Sequence, residues 1–296
     1  MIIVAGENVV DLMPAGDGML CPALGGGPAN VAVAAARLGA PTAMVARLGR
    51  DAFGAAFRRR LDESGVDTRY LVETNQPSAL ALATPGADGD AQYDFWLAGA
   101  ADFTWHQADL PHPGPGDVLH IGSLAAFLPP GADVLEHWAK QHRPQCTISF
   151  DPNLRPVALA RPDSLVRLER LARLANVVRV SEGDVRLAYP SVQPRETARR
   201  WLAESEVDLV VLTHGAAGAT AFTRDGEVTA VPPPVDLVDT IGAGDTATGA
   251  LLATLHRDGR WRPESLRYVC AAAALACGRA GADPPTAAEV AAAVRG

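Results

Sequence analysis

The sequence predicts an α/β protein: a mostly parallel central sheet flanked by helices, with a small β-sheet lid. Three observations carry this. Short apolar runs of strand length alternate with stretches of helical period along the 296 residues, the pattern of successive βα units. Glycine-rich turns stand directly before two of the helical stretches, at 25–27 and 242–244. A third pattern, period-two alternation at 78–84 followed across a turn-rich PGADGD by a further strand at 91–97, reads as a β-hairpin set apart from those units.

The elements follow in order. Ile2–Ala5 is an apolar run closed by Gly6 and reads as a buried first strand. At 28–38 (PANVAVAAARL), Ala and Leu recur at helical spacing; proline opens the stretch and Gly39 closes it. A strand is predicted at 42–48 and a helix at 53–64, ending at Gly65. The hairpin at 78–97 is apolar enough to cover something, either a ligand or a neighbouring subunit. Strands are then predicted at 118–121, 147–150, 176–180 and 209–212, with helices between them at 132–142, 163–174 and 195–205. A late β segment is expected at 228–232, and two Ala-rich helices at about 245–257 and 264–279. Pro232–Pro234 is too short a connector to part domains, so one α/β domain is expected over 1–296.

Composition narrows the classes. Hydrophobic residues make up 48% and charged residues 20%, as in a globular chain with a real core; aromatics are only 5%, so that core is mostly Val, Leu and Ala. A net charge of −8 argues against a nucleic-acid partner, which favours basic faces. Cys21, Cys146, Cys270 and Cys277 form no C-x-x-C pair, so neither a disulfide scaffold nor a zinc site is expected. The N-terminus meets Glu7 and Asp11 early and lacks a basic leader region. No apolar run reaches the roughly 18 residues of a membrane span, so the expectation is a cytoplasmic protein without a membrane partner.

The strongest chemical signal is VDLVDTIGAGDTATGALLA at 235–253. Its glycine-rich turn opens onto a helix whose first N–H groups lack internal partners, a natural anion site. Three readings stand side by side. Asp245 is a general base beside an anion hole made by the N–H groups of Ala243, Gly244 and Asp245 itself, which suits phosphoryl transfer to an alcohol. Alternatively, Asp245 caps the helix. Or Gly242, Gly244 and Ala247 form a dinucleotide fingerprint of a Rossmann-type NAD-dependent dehydrogenase, although the Asp245 carboxylate would then repel the diphosphate. A Walker A loop is absent. The second signal is LGGGPAN at 24–30, where backbone can approach a ligand and Asn30 offers both a donor and an acceptor. Asp11 ends the first strand region, where α/β sheets place ligands.

Taken together and in this order, the two clusters resemble the ribokinase-like PfkB carbohydrate kinases. GGGPANVAVAAARLG is similar to the family's N-terminal signature and DTIGAGDTATGALLA to its more specific C-terminal one. RLGRDAFG at 47–54, FDPNLRP at 150–156, VVRVSEGDVRLAY at 177–189 and VVLTHGAAGA at 210–219 agree in order. The resemblance implies a β lid, here about 12–23 with 78–104, over a sugar site. It implies Asp245 as the base, Gly242, Ala243 and Gly244 as the anion hole, and Asp11, Gly26, Gly27, Asn30, Phe95 and Arg155 on the substrate. It puts Ser181, Thr213, Gly215, Gly218 and Cys277 on the ATP side, Asp184 near Mg²⁺, and Asp239 near a monovalent cation such as K⁺.

Two departures from the family pattern bear on this. Ser181 and Asp184 stand where many members have Asn-x-x-Glu, and Phe95-Trp96-Leu97 lacks the arginine that fructokinase-like members often carry there. Arg47 and Arg50 are candidates to replace that charge. The motifs are closest to fructokinases, so fructose or a related ketose is the expected substrate. 2-Keto-3-deoxygluconate kinase, ribokinase and nucleoside kinase are the alternatives within the family, and a sugar sensor without turnover is a further one. Phe95, Trp96 and Tyr93 also suggest a homodimer through the lid.

Overall fold

The structure is a computed structural model that describes residues 1–85 and 91–295, leaving aside the side chains of Pro85, Ala91 and Gln92. The turn expected at 85–90 falls, past Pro85, outside the described residues.

The apolar runs become a nine-stranded sheet. In chain order its strands are β1 (Ile2–Ala5), β4 (Thr42–Gly49), β5 (Asp67–Thr74), β8 (Val118–Gly122), β9 (Thr147–Asp151), β10 (Val177–Ser181), β11 (Leu209–Thr213), β12 (Ala219–Thr223) and β13 (Gly226–Ala230). Their spatial order is β13-β12-β11-β10-β9-β8-β1-β4-β5. All pairings are parallel except β11 with β12 and β12 with β13. The central strands read as unbroken apolar runs because both faces are covered. In β1, Ile3 and Ala5 enter one hydrophobic cluster, while Ile2 and Val4 enter another on the opposite face.

Helices α1 (Gly27–Arg37), α8 (Ala243–Asp258), α9 (Ser265–Cys277) and α10 (Ala287–Arg295) pack in succession on one face. Helices α3 (Gly131–His142), α5 (Ser164–Leu174) and α7 (Pro194–Glu204) line the other, with the short α4 (Pro156–Leu159) and α6 (Glu182–Ala188) beside them. Helix α2 (Ala52–Glu63) packs on β4 and β5. Gly249 of α8 lets that helix approach α1: a Cβ there would fall 2.6 Å from Ala34 Cβ.

A separate four-stranded sheet has the order β3-β2-β6-β7, from β2 (Val9–Pro14), β3 (Leu20–Leu24), β6 (Ala79–Pro85) and β7 (Ala91–Trp96). The expected hairpin at 78–97 is its β6–β7 half. Asp11 lies opposite Ala81, and Ala81 opposite Phe95, so these three share one face. Val10, Leu12, Leu24 and Leu80 take the other face and join a small cluster with Leu48 and Phe57. Buried Asp102 ties the roots of this sheet, accepting the N–H of Asn8 at 2.7 Å and of Ala79 at 3.4 Å.

Candidate active site

The parallel strands deliver their C-terminal ends to one edge, where α/β sheets place ligands. Glu7 and Asn8 follow β1, Ser123 follows β8, Asp151 ends β9, and Thr213 ends β11. Two cavities open at this edge. One is polar, about 220 Å³, and is bordered by Asp11, Gly26, Gly27, Asn30, Tyr93, Phe95, Asn153, Arg155 and Asp245, among others. The other is largely apolar, about 470 Å³, and is bordered by Thr213, Gly215, Gly218, Pro232, Leu237, Ala243, Val269 and Cys277, among others. Thr240 and Gly244 border both cavities, so the two meet at the glycine-rich turn.

That turn starts α8. Gly242 is the N-cap with φ 74°, a left-handed conformation that glycine adopts freely. Asp245 therefore stands at the third helical position and makes no capping hydrogen bond, which removes the capping reading. The dinucleotide reading fails on topology: β13 before this turn is antiparallel to its neighbour and is followed by an irregular stretch, so no βαβ unit precedes the helix. Ala243 N–H turns back to Thr240 O at 3.2 Å. No acceptor among the described residues takes the N–H of Gly242, Gly244 or Asp245. The free donors of the turn are thus those three.

Asp245 is 8% exposed. Its Oδ2 accepts from Asn30 Nδ2 at 2.8 Å, and its Oδ1 faces Asn153 Nδ2 at 3.3 Å. Burial pushes its carboxyl up to about 6; the Asn30 hydrogen bond and the guanidinium groups of Arg155 and Arg179 oppose this, while Asp151 adds to it. Asp11 is also pushed up to about 6, again by burial first. Arg155 turns one N–H to Leu154 O at 3.0 Å and forms no ion pair among the described residues, leaving a cation at the mouth of the polar cavity. Glu7, 1% exposed, accepts from Ala125 N–H at 2.9 Å and borders the same cavity.

Below the turn, Arg179 of β10 donates to Asp151 Oδ2 at 3.1 Å and Thr213 Oγ1 at 2.9 Å, and Thr248 of α8 donates to the same Asp151 oxygen at 2.6 Å. One buried ion pair thus joins β9, β10, β11 and α8.

Four charged residues named from the sequence stand apart from both cavities. Asp184 closes a capping box with Ser181, accepting from its hydroxyl at 2.6 Å, and also takes Leu154 N–H at 2.7 Å. Asp239 accepts from the N–H of Ile241 at 2.9 Å and of Gly281 at 2.8 Å, fastening the segment after α9 to the glycine-rich turn. Arg47 pairs with Asp109 at 2.5 Å and Arg50 with Asn75 at 3.2 Å, so neither supplies the charge missing from the small sheet. Among the described residues no group of three or more His, Cys, Asp or Glu side chains could hold a metal ion. Asp184 and Asp239 each already accept two backbone N–H groups.

The comparisons with known proteins agree with this geometry. The family model described as pfkB family carbohydrate kinase matches residues 23–288. A fructokinase of Klebsiella pneumoniae is 34% identical over 94% of this chain and 91% of its own length. A fructokinase of Rhizobium leguminosarum bv. trifolii is 33% identical over 87% of this chain and 80% of its own. Among solved structures, the fructokinase of Vibrio cholerae O395 with fructose, ADP and calcium ion bound superposes with a TM-score of 0.90 at 29% identity, covering 99% of this chain and 98% of that one. Aminoimidazole riboside kinase of Salmonella enterica, complexed with aminoimidazole riboside and an ATP analog, reaches a TM-score of 0.89 at 27% identity, with 99% of each chain covered. The chain belongs to the pfkB family of carbohydrate kinases.

Proposed function

We propose that this chain is an ATP-dependent fructokinase, moving the γ-phosphoryl group of ATP to a primary hydroxyl of fructose. The observation that carries the reading is the meeting of a polar and an apolar cavity at the Gly242–Asp245 turn. A sugar suits the first, with Asp11 and Asn30 for its hydroxyls and Arg155 at the mouth. An adenine suits the apolar walls of the second, with phosphates running past Thr213, Gly215 and Gly218 towards Gly244. Fructose as the sugar is supported by the fructokinases among the relatives.

In the proposed reaction Asp245 Oδ1 takes the proton of the attacking hydroxyl. The hydroxyl oxygen bonds to the γ-phosphorus, and the bond to the ADP oxygen breaks. The N–H groups of Gly244 and Asp245 hold the charge on the phosphoryl oxygens. Positioning supplies most of the acceleration, and closure of the four-stranded sheet over the sugar excludes water. Mg²⁺ would enter with ATP, held by phosphates and waters rather than by side chains; a K⁺ ion near Asp239 would face a carboxylate already bonded to two N–H groups.

The wider reading is one kinase domain over 1–296 with the small sheet as its lid, acting in the cytoplasm. No helix among the described residues is long and apolar enough to cross a membrane. A homodimer through the lid is supported by Met19, Leu20 and Trp96, which are 60%, 47% and 56% exposed.

ADP release measured across fructose, ribose, 2-keto-3-deoxygluconate and ribosides tests the substrate. Fructose is expected to give the highest kcat/KM, and Asp245→Asn to lose about 10²–10⁴-fold in kcat. A riboside or a sugar acid outrunning fructose would replace the substrate, and an active Asp245→Asn would remove the base.

A further inference from the structure

Helix α2 carries three arginines in a row near its end. Arg58 pairs with Glu73 at the surface, Arg59 is exposed, and Arg60 turns inward. Its guanidinium donates to Leu24 O at 2.8 Å, Asn30 Oδ1 at 2.9 Å and Ala282 O at 2.9 Å. These acceptors belong to three parts of the site. Leu24 ends β3 of the small sheet. Asn30 bonds Asp245. Ala282 packs under the glycine-rich turn, where a Cβ on Gly242 would fall 2.8 Å from Ala282 Cβ.

We propose that Arg60 is a positioning residue that fixes the orientation of the Asn30 amide and, through it, the aim of the Asp245 carboxylate. An amide has an accepting end and a donating end, whereas a guanidinium only donates. With Arg60 on one side, Asn30 must turn its oxygen to α2 and its NH₂ to Asp245. The reversed amide would set donor against donor at Arg60 and oxygen against carboxylate at Asp245. With Asn30 so fixed, Oδ2 of Asp245 is held, and Oδ1, which accepts only a longer bond of 3.3 Å from Asn153, is turned to the sugar hydroxyl. The inference rests on Asp245 being the base of the proposed kinase reaction.

The groups facing Asp245 come from every element around it. They are Asn30 of α1, Asp11 of β2, Asp151 of β9, Asn153 and Arg155 after β9, Arg179 of β10, and Arg60 of α2. Burial and the two carboxylates disfavour the ionised base; the arginines and the Asn30 donor favour it. Without Arg60 the Asn30 amide is free to rotate, and one cation leaves. Arg155 and Arg179 stay.

The test needs no substrate. The chain is labelled with ¹³C at Asp carboxyls, and the Asp245 signal is identified by its absence in Asp245→Asn. Its titration is then followed in the full-length wild type, Arg60→Met and Arg60→Lys. The midpoint is expected to rise by about one unit in Arg60→Met. In Arg60→Lys it should rise less, because the charge stays but the planar fork is lost. In turnover, the acid limb of kcat/KM for the sugar should move to higher pH by the same amount, with KM for ATP unchanged. An unmoved midpoint in Arg60→Met overturns the proposal. Should that variant not fold, an unmoved midpoint in Arg60→Lys and Arg60→Gln overturns it equally. A shifted midpoint in a chain that phosphorylates no sugar would uphold the relay while removing the kinase reading.

Discussion

Arg179 sits in an apolar strand, VVRVS, and nothing local announces its role. Only folding sets it between Asp151 and Thr213, with its charge buried under the glycine-rich turn. A buried pair is costly to break on one side, because the remaining charge stays desolvated. Arg179→Met should therefore cost about 3–5 kcal/mol in urea unfolding. The Asp151→Asn, Arg179→Met pair should recover part of that loss, and simple additivity of the two changes would refute the coupling. The same contrast marks what could be read from the chain. Asp245, Asn30 and Gly244 were visible because a turn, a helix start and a carboxylate are local patterns. Arg60 and Arg179 were not, since a charge inside a helix or strand looks alike whether it faces solvent or a catalytic group. Asp184 shows the reverse: its S-x-x-D spacing fits a metal-linked motif and a capping box equally, and in the fold its oxygens are taken by Ser181 and Leu154.

At the scale of elements, the buried strands β1, β4, β8, β9, β10 and β11 lie within a residue of their predicted bounds, because two covered faces leave an unbroken apolar run. Strands β5 and β12 have no counterpart in the sequence reading. β5 is an edge strand, mostly half-buried, and mixes charge into its run, while β12 is a five-residue ATAFT of mostly small side chains. Helix α10 lies past the Ala-rich pair and buries only Val290 fully. Helix α1 carries a testable consequence. Its first residue, Gly27, lies so close to the segment after β9 that a Cβ would fall 2.6 Å from Asn153 Nδ2. Gly27→Ala would push Asn153 away from Asp245 and narrow the polar cavity. Because Gly27 does not border the apolar cavity, the loss should be selective. A fall of about tenfold to a hundredfold in kcat/KM for the sugar is expected, with KM for ATP unchanged. Equal losses for both substrates would mean that the helix start supports the whole edge rather than the sugar side.

Across the whole molecule, the carboxylates fall into two groups whose effects on stability oppose each other. Burial raises Asp245 and Asp11 to about 6, Asp102 to about 7, and Glu7 as well. Hydrogen bonds and arginine partners lower Asp51, Glu169, Glu182, Glu227 and Asp258, and bring Glu289 to about 2. For a raised group the folded state binds more protons than the unfolded chain, between roughly pH 4 and the folded pKa. Stability from that group is therefore fully present below about pH 4 and is lost progressively as pH rises from there through the folded pKa of about 6 to 7. For a lowered group the sign reverses: its contribution is present above roughly pH 4 and is lost as pH falls below that. The two together place the greatest stability near pH 4, where the two ranges meet. Catalysis asks for the opposite, since Asp245 must be ionised to take a proton. The acid limb of kcat/KM should thus lie near pH 6, where the base of the free protein ionises. Melting curves recorded at pH 5, 6.5 and 8 should show Tm falling across that range in the wild type. Asp102→Asn should flatten the slope without moving the acid limb of kcat/KM, and Asp245→Asn should flatten it while abolishing most turnover. A Tm that climbs from pH 5 to pH 8 would mean that the buried carboxylates are better solvated or better paired than their surroundings indicate. If instead Tm and activity part in this way, the site holds its base ionised at the expense of the fold, and the strain is concentrated at the edge where the two cavities meet.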